Sequence, residues 1–124
     1  MDIFEYLETE EIKVSSENFE ISHEDLRHIN SRLNYMSDIA PLGSTLRLNF
    51  ALKDGKYIGN LEVRNIRAQF NSLKDGIVLL DVFKTIEDEV HQKIIDWKQS
   101  RFDNESSDRF EVEAIDVNDI DNKE

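Results

Sequence analysis

Three histidines, a run of carboxylates and a scatter of arginines are the side chains here that could do chemistry. His23 and His28 are five residues apart, which on a helix turns them about 140° away from each other. His91 has no partner four positions on, so no pair has the spacing of a zinc site. Cysteine is absent, which removes disulfides and thiolate metal ligands together. Gly43, Gly55, Gly59 and Gly76 stand alone and form no phosphate loop. Glu87, Asp88 and Glu89 read as a solvated helix face, and a Ser-His-Asp set could be assembled from such common residues in almost any chain. The residues therefore argue against an enzyme, and no metal, cofactor or small-molecule substrate is expected.

The more informative pattern is which charges share a face. Between Leu26 and Ser37 there is no acid, and the polar side of that segment presents Arg27, His28, Asn30, Ser31, Arg32, Asn34 and Tyr35. Further on, Lys84, His91 and Lys98 recur every seven residues, with Arg101 near the end. Arginine mixed with hydrogen-bonding Asn, Ser and Tyr is the chemistry that positions proteins on phosphate backbones. An ordinary solvated helix, whose Lys and Arg snorkel along the border of the core, gives the same pattern. Glu87, Asp88, Glu89 and Asp96 interrupt the second stripe.

The overall charge of −12 is unevenly spread. Residues 1–15 carry five acids against Lys13, and residues 103–124 carry nine against Arg109 and Lys123. Residues 16–102 hold 13 acids and 12 bases, so the body is nearly neutral between acidic ends. A neutral body can still carry a basic face. No apolar run approaches the roughly 20 residues that span a bilayer. The acidic N-terminus is unlike a signal peptide, so a cytoplasmic location is expected.

These side chains must be positioned by elements that the patterning predicts. At 124 residues there is material for one hydrophobic core. Ile12, Val14, Phe19 and Ile21 keep a strand period. Ser22 reads as an N-cap, with Glu24 and Asp25 in a first turn whose dipole favours carboxylates. Leu26, Ile29, Leu33 and Met36 make one face of a helix over about 23–37, which Pro41 and Gly43 close. Leu46, Leu48, Phe50 and Leu52 alternate as a strand, and Asp54-Gly55 suits a type I′ hairpin turn. Tyr57 to Val63 returns, and Ile66, Ala68 and Phe70 start a third hairpin strand after a turn at Asn65. A helix over about 77–101 follows, with Leu79, Val82, Phe83, Ile86, Val90, Ile94 and Trp97 on a wide apolar stripe. The expected fold is α+β: β-α-β-β-β-α, a four-stranded sheet with both helices on one face. Residues 1–11 are expected as an acidic extension, 12–102 as the domain, and 103–124 as a disordered acidic tail.

The ordered set of segments resembles the ribosome hibernation promoting factors, the family that includes the ribosome-associated inhibitor protein. The residues that carry the resemblance are Val14 to Ser22, then His28-Ile29, Arg32-Leu33 and Met36, the strand segment 45–72, and Asp81 to Glu87 with Val90 and Trp97. The resemblance implies a factor that binds the decoding region of the small ribosomal subunit and holds ribosomes inactive in stress or stationary phase. It implies rRNA contacts from the exposed sides of the helices: Arg27, His28 and Arg32, then Lys84, His91, Lys98 and Arg101. Basic ribosomal proteins are a further expected partner. The competing expectation is a non-enzymatic module of the same fold that binds a basic protein through its acidic ends.

Overall fold

The computed structural model describes residues 2–7 and 9–113. Its elements are β1 (Ile3–Leu7), β2 (Ile12–Glu17), α1 (His23–Ile39), β3 (Thr45–Lys53), β4 (Lys56–Arg64), β5 (Gln69–Gly76) and α2 (Leu79–Glu113). The strands form one sheet in the order β1-β2-β3-β4-β5. β2 and β3 are parallel and every other neighbouring pair is antiparallel. That parallel pair requires a crossover, which α1 supplies.

The four-stranded expectation is corrected: the sheet has five strands and is mixed. The added strand lies within the segment expected as an acidic extension, where β1 pairs with β2 from Ile3 opposite Glu17 to Leu7 opposite Lys13. Its anchor is Tyr6. The phenol oxygen accepts the Ile21 amide at 2.9 Å and lies 3.3 Å from the Ser16 hydroxyl, which itself donates to the Phe19 carbonyl at 2.7 Å. These bonds tie β1 to the loop that leads into α1.

The buried strand residues share one face of the sheet: Ile12 and Val14, then Leu46, Leu48 and Phe50, then Leu61 and Val63, then Phe70. Both helices cover it. α1 contributes Ile29, Leu33 and Met36, and α2 contributes Leu79, Val82, Phe83, Ile86, Val90 and Ile94. Ser22 caps α1 by accepting the Asp25 amide at 3.1 Å. Gly59 on β4 is required by close approach, because a Cβ there would stand 2.6 Å from Ile86 Cδ1 and 2.8 Å from the Phe50 ring. The Asp54-Gly55 turn has positive φ at both residues, as a type I′ turn demands.

Two boundaries move. Ile66 and Ala68 belong to a turn, in which Asn65 and Ala68 exchange backbone bonds, and Ile66 is fully exposed. The last strand begins at Gln69 and runs through Lys74 and Asp75 to Gly76. α2 continues past residue 101 to Glu113, so residues 103–113 of the expected tail have helical backbone; residues 114–124 lie outside those described. Contacts divide the chain after Ile94, and the second unit opens with the continuing α2.

Candidate nucleic-acid interface

α1 and α2 meet along a seam built from residues that the sequence assigned to phosphate binding. His28 stands edge-on to the Phe83 ring, with centroids 6.2 Å apart, and Tyr35 stands edge-on to His91 at 6.0 Å. Between them Arg32 Nε donates to Glu87 Oε2 at 2.5 Å, while its guanidinium lies over the Tyr35 ring at 4.9 Å. The three contacts advance along both helices in the same direction, so α1 and α2 run parallel. Glu87 is buried, so its carboxylate needs this partner, and Arg32 spends its charge within the protein.

The other assigned residues divide. Arg27 is exposed and makes no ion pair among the described residues. Lys84 is exposed and pairs with Asp88 at 2.9 Å, one helical turn on. In the second unit, Lys98 is exposed and Arg101 lies over the Trp97 ring at 5.1 Å. The structure thus brings together His28, Arg32 and His91, as a seam, and leaves Arg27 as the open cation of α1. On the side of α2 away from the seam, toward β5, Lys74 reaches Glu89 at 3.4 Å and Lys93 donates to the Asn71 carbonyl at 2.8 Å. The Glu89 carboxyl is held below its ordinary pKa, first by the Ser72 hydroxyl and then by Lys74 and Lys93. Ser72 is outside hydrogen-bond geometry with any acceptor, so it acts as a nearby dipole and Lys74 is the direct contact.

Cations that the sequence reasoning passed over occupy the open face of the sheet. Lys13 stands in register with Arg47, Arg47 with Glu62, and Thr45 with Arg64. Arg67 follows in the β4–β5 turn. Lys13, Arg47 and Arg67 are exposed and have no ion pair among the described residues; Glu62 is engaged instead by Arg64 at 3.3 Å and Gln69 at 2.8 Å. The next row across the same face holds Ser15, Asn49 and Asn60 in register, with Ser15 donating to Asn49 at 2.7 Å. The signal for this face was present in the strand alternation, which sets Lys13 opposite in phase to Ile12 and Val14, and Arg47 to Leu46 and Leu48.

Fold and surface together define a two-layer α+β domain, with two parallel helices on one face of a mixed sheet and polar, partly cationic chemistry on the other. Solved structures share this fold. The Thermus thermophilus protein Y N-terminal domain superposes with a TM-score of 0.61 at 10% identity, over 73% of this chain and 99% of that one. A ribosomal subunit interface protein from Coxiella burnetii superposes with a TM-score of 0.60 at 12% identity, over 71% and 97% respectively. No protein-family model matches the sequence, and no curated protein matches it. Among the described residues no helix is long and apolar enough to cross a membrane.

Proposed function

We propose that this protein associates with the ribosome through its small subunit and restrains translation when growth stops. One observation carries the reading: nearly the whole of two solved domains, one a protein Y domain and one described as a ribosomal subunit interface protein, superposes on this chain. The ordered sequence resemblance to hibernation factors supports it independently. Docking in the decoding region would obstruct messenger and transfer RNA by occupancy alone, and no bond need be made or broken. Arg27 on α1 and Lys98 and Arg101 on α2 are the assigned helical contacts to rRNA. Arg32, His28 and His91 pack α1 against α2 within the first unit, and Lys84 needs to exchange Asp88 for a phosphate.

Cell-free translation tests this reading. Purified protein added in modest excess over ribosomes should suppress synthesis from a reporter messenger, and extra ribosomes should relieve the suppression in proportion. Undiminished synthesis at saturating protein would overturn it.

A further inference from the structure

The unpaired cations on the open face of the sheet pose a physical problem. Lys13 and Arg47 are cross-strand neighbours on strands about 4.8 Å apart, and like charges directly opposite destabilise a sheet. Neither makes an ion pair among the described residues: Glu62, opposite Arg47, is engaged by Arg64 and Gln69, and Glu10 and Glu11 line the neighbouring hollow without closing on either cation. Between them and β1 lies a cleft of about 390 Å³, lined by Glu5, Tyr6, Lys13, Val14, Ser15 and Arg47. β1 makes this cleft, because Glu5 stands in register with Ser15 and closes its far wall.

We propose that this open face is a second contact surface for RNA, with a backbone phosphate seated in the cleft between Lys13 and Arg47. Charge complementarity selects the occupant. On the helices Arg32 is engaged by the buried Glu87 and Lys84 by Asp88, whereas Lys13, Arg47 and Arg67 are exposed and make no ion pair among the described residues. The adjoining Ser15-Asn49-Asn60 row supplies hydroxyl and amide groups of the kind that position a sugar-phosphate backbone. Arg64 and Arg67 extend the surface toward the β4–β5 turn, so an RNA strand can run along that end of the sheet. Glu5 opposes the phosphate and limits its affinity. The helix face and the sheet face are opposite sides of the domain, so an RNA partner that uses both must embrace it. This inference rests on the ribosome reading for the identity of the RNA.

The test compares the full-length protein with Lys13→Gln/Arg47→Gln, with Glu5→Gln, and with Lys53→Gln/Lys56→Gln, which removes the same charge from the far end of the same face. Each is measured against a short mixed-sequence RNA duplex and against purified ribosomes over a series of salt concentrations, after circular dichroism has matched the folds. Lys13→Gln/Arg47→Gln should bind the duplex roughly tenfold more weakly, with a salt slope lower by about one, as expected for one lost phosphate contact. Glu5→Gln should tighten binding, and the control pair should change the slope little. Equal losses from the two double variants, or an unchanged slope in Lys13→Gln/Arg47→Gln, would overturn the cleft. Unchanged ribosome binding by Lys13→Gln/Arg47→Gln would overturn it and leave the ribosome reading standing. Duplex binding that depends on Lys13 and Arg47, without ribosome binding by the unaltered protein, would overturn the ribosome reading and keep the surface. Failure to bind either RNA would end both.

Discussion

Replacing Arg32 by alanine should damage stability before it damages any binding. The Glu87 side chain is 6% exposed and that of Arg32 is 40% exposed, so the pair lies between a buried ion pair and a surface one. Stripping the partner from a fully buried charge costs about 3–5 kcal/mol, and an exposed pair contributes about 0–1 kcal/mol. Solvent reaches the arginine side, so Arg32→Ala should cost roughly 2 kcal/mol. For a domain of this size that lowers the melting midpoint by about 8–16 °C. Glu87→Gln should cost less, about 1 kcal/mol, because its amide oxygen still accepts from Arg32. The apolar pair Arg32→Met/Glu87→Leu should fall within about 1 kcal/mol of the unaltered protein, since it removes both charges together. Urea unfolding followed by circular dichroism measures all three. An Arg32→Ala loss below about 0.5 kcal/mol would place the pair in the surface class and refute the assignment of Arg32 to the seam.

Other consequences of the packing are open to the same assay. Gly59→Ala forces a methyl against Ile86 and Phe50, and overpacking of this kind should cost about 1–3 kcal/mol in the urea midpoint; a neutral result would mean that α2 rides higher on the sheet. Tyr6→Phe removes the oxygen that accepts the Ile21 amide and should cost about 1 kcal/mol, with faster hydrogen exchange at Ile21 as its local signature. An unchanged exchange rate at Ile21 would show that β1 does not anchor the approach to α1.

The helices and the central strands were legible because their periods are clean. Leu26, Ile29, Leu33 and Met36 mark α1, Leu46, Leu48 and Phe50 mark β3, and Ser22 and Asp54-Gly55 mark a cap and a turn through local hydrogen-bonding and φ requirements. β1 was hidden because Glu5 alternates with Phe4 and Tyr6 in a segment whose acidity dominated its reading. Its stability comes from Tyr6 bonding to Ile21 and Ser16, partners that no local pattern reveals. The start of β5 was misplaced because Ile66 is apolar yet sits in a turn, where a side chain of Asn65 accepts the Arg67 amide at 3.0 Å and sets the geometry. The charged faces were half legible. Periodicity places Arg32 on a polar side, but the carboxylate that claims it is 55 residues away. The same limit applied to Lys13 and Arg47, whose adjacency is a matter of parallel register between strands joined through α1.

Sedimentation with separated ribosomal subunits tests the central claim most directly. Purified protein mixed with small or large subunits at low salt should travel with the small subunit in a sucrose gradient, and should be released as salt rises, because phosphate contacts are made at the expense of condensed counterions. Protein that stays at the top of the gradient at every salt concentration would contradict ribosome association, and protein that travels only with the large subunit would contradict the small-subunit assignment.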